Sequence, residues 1–328
     1  MDIDRRALYN SLRMNWLIDP SLEVDDWQVE NYRDMSMPLL CSRLREFGLD
    51  FDKDSFCSIA EGYDTPEELT ESLIDQEQVT PEIEDRIYLL VFELWRRLET
   101  GKPCLSVFCD ELDHQIFLYD RQQAQEVEEI QDVLSNLQVI LDENTDQGAD
   151  PIEVLHSINK GCANDIETFL YDFITEQVDN HNFSYASELL DGFIDYVDDD
   201  KWFELLRVRA LTDSDPESAA ILVQQLAEEA TLENDLQFNL ELLSEMVQDG
   251  DVDSFRELVI QTSQLLEREE DFQDLLTVCL DYYSCQDQEE EEHQILMIID
   301  NRSKNTISNP FSKEDQDLES LLSVVNRT

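Results

Sequence analysis

Glycine and proline are scarce in this chain, 7 and 8 among 328 residues. So few turn-formers leave little room for the hairpins that build sheets. They also disfavour glycine-rich loops that cradle phosphate, and no Walker loop, dinucleotide fingerprint, GxSxG or HExxH spacing occurs. Lysine accounts for only 6 of the 22 basic residues, and the four histidines, at 114, 156, 181 and 293, are too dispersed for a metal or acid–base cluster. Cys104, Cys109 and His114 follow one another at steps of five, about 140° around a helix, so they do not share a face. The seven cysteines are odd in number and include no CxxC, which fits free thiols in a reducing compartment better than a disulfide framework. The first residues, Met1-Asp2-Ile3-Asp4-Arg5-Arg6, carry acids where a secretory leader needs a basic and then an apolar run. The longest strongly apolar stretch, 87–92, stops at Glu93, far short of the roughly 20 residues that cross a bilayer. The expectation is a cytoplasmic protein without membrane contact.

Acid is abundant instead: 78 Asp and Glu against 22 Lys and Arg, a net charge of -56. Spread over the roughly 14,000 Å² expected for a compact body of this mass, that is one uncompensated charge per about 250 Å². Such a surface repels nucleic acid and anionic lipid. Hydrophobic residues still make up 41% and aromatics 9%, enough for a sizeable core. A lysine-poor, acid-rich balance also fits adaptation to high salt, but 7 Cys, 15 Phe and long Leu/Ile-rich stretches are those of an ordinary mesophilic core.

Four of the prolines follow an N-cap residue: Thr65-Pro66, Thr80-Pro81, Asp150-Pro151 and Asp215-Pro216. Proline at the first helical position loses no hydrogen bond, so these pairs predict helix starts. Glu68 completes a capping box with Thr65, and Glu153 its analogue with Asp150. Ile83, Ile87, Leu90 and Leu94 line one face of a predicted helix, as do Leu105, Phe108, Leu112 and Ile116, while the helix over 38–47 stops at Gly48. The fold class is all-α. In the second half, predicted helix starts near 184, 216, 251 and 287 alternate with starts near 201, 235 and 271, giving helical hairpins of about 34 residues. This spacing resembles that of tetratricopeptide-repeat proteins and implies an α-solenoid over roughly 122–300. The units lack the family's consensus Trp, Leu-Gly, Tyr, Ala, Phe and Pro. The resemblance is therefore one of architecture and carries over no peptide-binding residue. The expected organisation is an N-terminal helical domain, 1–120, a helical-repeat domain, 121–300, and a linker with a short C-terminal helix, 301–328, the helix acting as a cap or as a docking peptide.

The sharpest local pattern is Asp142, Asn144, Asp146, Asp150 and Glu153, oxygen donors at positions 1, 3, 5, 9 and 12 of a segment between two predicted helices. This resembles an EF-hand calcium loop. The glycine expected sixth stands seventh, at Gly148, so the preferred reading is a polar interhelix loop ending in the Asp-Pro cap, with calcium as the alternative. The runs Asp198-Asp199-Asp200 and Glu289-Glu290-Glu291-Glu292 read as helix-start charge or as a docking surface for a basic polypeptide, with Trp202 as an apolar anchor. Carboxylate pairs occur throughout, so none marks acid–base catalysis, and no catalytic or cofactor-binding residue is assigned. Six of the sixteen arginines, Arg5, Arg6, Arg13, Arg33, Arg43 and Arg45, fall in the first 45 residues. They read as neutralising local acid or docking the N-terminal domain on the acidic repeats rather than as an enzyme site. The function expected is a non-enzymatic acidic scaffold or chaperone-like adaptor for a basic protein segment. The alternative is a nucleic-acid mimic or histone-chaperone-like shield.

Overall fold

The computed structural model describes residues 4–74, 79–121, 127–212, 214–230, 232 and 234–327, with backbone alone at 127, 128 and 249. The described residues form eighteen α-helices and two 3₁₀ turns, with no strand. The chain divides into two compact units, Met1–Phe169 and Leu170–Thr328. The division thus falls well after the boundary expected near residue 120, which adjoins residues 122–126 outside the described set.

The first unit contains α1 (Arg5–Ile18), α2 (Asp26–Val29), α3 (Met37–Glu46), α4 (Lys53–Ala60), α5 (Pro66–Leu73), α6 (Pro81–Leu98), α7 (Leu105–Asp120), α8 (Val127–Asp146) and α9 (Pro151–Lys160). Every residue of α6 from Ile87 to Trp95 is buried. A helix apolar around its circumference has to be internal, and α3, α4 and α5 pack on it. Glu93, which interrupts the apolar run, is 1% exposed and is neutralised by Arg96 at 2.7 Å and by Arg97 one turn on. Arg97 also donates to the carbonyls of Tyr32, Arg33 and Met35, tying the 3₁₀ turn Tyr32–Asp34 to α6. Lys102 closes the end of α4 in the same manner, donating to the carbonyls of Ala60, Glu61 and Tyr63 at 2.8–3.0 Å.

Helix α10 (Ile166–Asp179) carries the division between the units. The second unit continues with α11 (Phe183–Phe193), α12 (Asp200–Thr212), α13 (Pro216–Ala230), α14 (Leu236–Asp249), α15 (Val252–Thr262), α16 (Glu269–Cys285), α17 (Glu289–Arg302) and α18 (Gln316–Val325). The starts of α11 to α17 lie within two residues of the seven predicted ones. From α11 to α15 each helix packs on the next, and α12, α13 and α14 also reach the helix after that. One apolar core runs from Leu205 to Val325, with Phe255 stacked on Tyr282 at 3.7 Å between ring centres.

The four proline-marked starts carry their caps: Thr65, Thr80, Asp150 and Asp215 each accept a hydrogen bond from the backbone N–H three residues on. Helix ends show the effect of scarce glycine. Gly48 closes α3 in the left-handed region, but the same position after α10 and α16 is held by His181 (φ 60°) and Asp287 (φ 55°). Both complete Schellman turns, Asn182 N–H to the Gln177 carbonyl and Gln288 N–H to the Tyr283 carbonyl.

The segment 301–311, expected as a linker, is fixed to the second unit. The Glu269 and Glu270 N–H groups donate to the carbonyls of Asn309 and Ile307, and the Phe311 N–H donates to the Glu267 carbonyl. Arg302 lies between Glu269 at 2.5 Å, Asp315 at 2.9 Å and Asp317 at 3.0 Å. Helix α18 buries Leu318, Leu321, Val324 and Val325 and packs on α15 and α17.

Candidate functional site

The disposition of charge is the feature from which a site can be built. Five of the six N-terminal arginines meet acids of their own unit: Arg5 with Glu84 and Asp85, Arg6 with Asp110, Arg33 with Asp110 and Glu111, Arg43 with Glu30, and Arg45 with Asp50. Asp110 is the hub, 2% exposed, with Arg6 Nε at 2.6 Å, Arg33 Nη2 at 2.5 Å and Asn10 Nδ2 at 3.1 Å. Burial alone would raise its pKa, but the two guanidiniums hold it well below the usual carboxylate range. One turn on, buried Asp113 accepts from the Ala163 and Asn164 N–H groups and from both Asn10 and Asn164 side chains. It has no cation against it among the described residues, and burial raises its pKa. Arg13 is the sixth arginine. No ion pair reaches it among the described residues; its guanidinium lies 5.9 Å over the Phe117 ring, and burial lowers its pKa.

The second unit uses its cations similarly. Arg209 bridges Glu241 and Glu245, Arg207 meets Asp191 and Glu204, and Lys201 lies 2.9 Å from Asp235. Most cations are therefore spent on internal acids or carbonyls. The accessible surface is 17,938 Å², roughly one net negative charge per 320 Å².

Asp198, Asp199 and Asp200 are exposed and run into the start of α12. Trp202 is half-buried, its ring edge-on to Tyr171 and Phe238 at 6.2 and 5.2 Å. Its indole is therefore a packing group of this unit as much as a surface anchor. Glu289, Glu290, Glu291 and Glu292 form the first turn of α17, the first two exposed and the others half-buried. The two acidic stretches stand on different helices, each where the helix dipole favours negative charge. A cleft of about 400 Å³ opens nearby in sequence, between α13, α14 and the start of α15, with Ile221, Ala220 and Met246 beside Glu217 and Glu245.

The structure places the calcium-loop residues on two helices. Asp142, Asn144 and Asp146 belong to α8, which continues through Asp146, while Asp150 caps α9 and Glu153 stands in its first turn. Gly148 (φ 95°) ends α8, its N–H reaching the Thr145 carbonyl and the Ala149 N–H reaching the Asn144 carbonyl. That is a Schellman turn, and it explains why the glycine is seventh rather than sixth. No group of three or more His, Cys, Asp or Glu side chains among the described residues has metal-binding geometry.

Sequence reasoning did not find Asp110, Asp113 or the groups around two larger cavities of the first unit. One, of about 960 Å³, is lined by Arg13, Arg43 and Arg86 with Trp16, Trp27 and Glu30, and by no His, Cys, Ser or Thr among the described residues. The other, of about 1000 Å³, lies among α6, α7, α8 and α9. Only Glu93, a lone acid ending an apolar run, signals in sequence that buried charge holds this unit together. No described helix is long and apolar enough to cross a membrane. Compared with protein-family models, curated proteins and solved structures, the chain finds no significant match.

Proposed function

We propose that this is a non-enzymatic acidic helical scaffold or chaperone-like adaptor that holds a basic protein segment. Residues 121–300 form its array of helical hairpins with a period near 34. Nucleic acid and membranes are not its partners, because both repel its surface. The observation that carries the reading is the inward commitment of the cations: Arg6, Arg33, Arg97, Arg209 and Arg302 bind acids or carbonyls of their own chain, in a chain where 78 acids stand against 22 basic residues. Long-range attraction then sets the association rate, and a few apolar contacts set specificity. Within this reading Asp198, Asp199, Asp200 and Glu289 to Glu292 are the docking charges, with Trp202 following the first of these runs. The nucleic-acid-mimic alternative needs acid concentrated along one ridge at phosphate-like spacing.

The test is fluorescence anisotropy of a labelled Arg/Lys-only peptide on the full chain at low and moderate salt. Binding is expected to weaken about tenfold or more between roughly 50 and 200 mM salt, as for several released counterions. The combined variant D198N, D199N, E289Q and E290Q is expected to bind more weakly at low salt. A peptide that fails to bind at low salt refutes the reading.

A further inference from the structure

The trough of about 1000 Å³ in the first unit combines an apolar lining with an acid end. Its apolar groups are Phe108 of α7, Ile140 of α8, and Val154 and Ile158 of α9, with Leu105 and Val139 on the walls. Leu105 is 41% and Val139 53% exposed, so two large apolar side chains face an open depression instead of a core. The cations of the lining are already used: Arg96 is held by Glu93, and Lys102 by the carbonyls that end α4. Glu99 and Glu153 remain on the rim. At the α8–α9 end, Asn144, Ala149 and Glu153 line the trough.

We propose that this trough seats the apolar face of an amphipathic helix from a partner protein, with Lys or Arg beside the apolar stripe meeting Glu99 and Glu153. An apolar trough bordered by carboxylate complements such a helix, whose anchors recur every three or four residues. A second copy of this chain is disfavoured as occupant because it brings a net charge of -56 to the same place. The site is separate from the acidic stretches of the second unit and holds its ligand by burial as well as charge. It therefore stands or falls apart from the salt-sensitive docking described above.

The experiment uses the full chain and three labelled peptides of equal length: a helical Leu/Lys peptide with leucines at i, i+3, i+4 and i+7, its Leu/Glu counterpart, and a Lys-only peptide. At roughly 0.5 M salt, where exposed charge is screened, the Leu/Lys peptide is expected to bind at least about tenfold more tightly than the Lys-only peptide, and at roughly 50 mM salt more tightly than its Leu/Glu counterpart. Two variants then separate burial from charge. V139D adds a negative charge, so attraction that is only electrostatic would strengthen. Seating in the trough requires the opposite, a loss of about tenfold or more. V139W fills the trough without changing charge and is expected to weaken binding as well; both variants are checked by circular dichroism melting. Unchanged or tighter Leu/Lys binding to V139D, or Lys-only binding equal to Leu/Lys binding at the higher salt, overturns the proposal. A dimer of the free chain that V139D dissolves assigns the trough to a second copy and overturns it too.

Discussion

The two units carry 39 acids each, against 13 basic residues in the first and 9 in the second, yet they are held together differently. In the first unit charged groups join helices far apart in sequence. Arg6 and Arg33 on opposite sides of Asp110 tie α1 and the Tyr32 turn to α7, and Arg5 ties α1 to α6. In the second unit apolar packing between successive helices builds the core, and buried charge is concentrated at one place, where Arg302 fastens α17 to the start of α16 and to the residues before α18. Each unit is therefore vulnerable in its own way. Breaking a buried pair by removing one partner strands the other charge, whereas trimming an apolar side chain between neighbouring helices forfeits its burial and leaves no charge behind.

The largest effect that separates the units is D110N against R302M. D110N leaves Arg6 and Arg33 facing each other at a buried site and is expected to cost the first unit about 3–5 kcal/mol. R302M strands Glu269 but leaves Asp315 and Asp317 partly solvated, so its cost is expected near the low end, about 3 kcal/mol. Urea unfolding followed by tryptophan fluorescence in a W202F background reports the first unit, because Trp16, Trp27 and Trp95 all lie there. In that background R302M is expected to leave the tryptophan transition where it was. If it moves that transition as far as D110N does, the two units do not unfold independently.

Acid titration exposes the same contrast. The folded pKa of Asp110 is depressed, so its stabilisation is fully present above the unfolded value of about 4 and is lost as pH falls below that toward the folded value. Its neighbour Asp113 is shifted the other way, so its ionisation opposes folding as pH rises. The first unit is therefore expected to lose stability between about pH 4 and 2, and D110N, already weakened, to show a flatter acid limb. An acid limb equally steep in D110N assigns the loss to other carboxylates.

A smaller effect of opposite sign is expected at the helix ends. His181 and Asp287 occupy left-handed backbone that costs a side-chain-bearing residue about 1 kcal/mol or more. H181G and D287G are expected to recover up to about 1 kcal/mol each, less the extra freedom glycine gives the unfolded chain. Thermal melting checks this, and a lowered Tm in both would show that the flanking turns, not the backbone angle, set the balance.

Much of the helical framework was legible because its signals are local. Thr80 before Pro81, or Asp150 before Pro151, announces a helix whatever packs on it, since a cap needs only a side-chain oxygen three residues from an orphan N–H. The same locality left two readings open at Gly148, where a glycine closing a helix and a glycine turning an ion loop look alike until the backbone is placed. It misled over 301–311, where Asn and Ser suggest a free linker but the carbonyls of Ile307 and Asn309 are taken up by the start of α16. The trough was not legible at all, because it is a space between helices and no spacing along one helix records it.

Composition and interactions spanning three or four residues were enough to make this chain helical, to supply apolar matter for a core, and to leave its surface anionic. The packing of distant helices decided that Asp110 receives two arginines 77 and 104 residues away, that the division falls at Phe169, and that Leu105 and Val139 are left facing an open trough. A net charge is a sum over the chain, whereas a neutralised, buried or exposed group depends on which distant residue lies within about 3 Å of it.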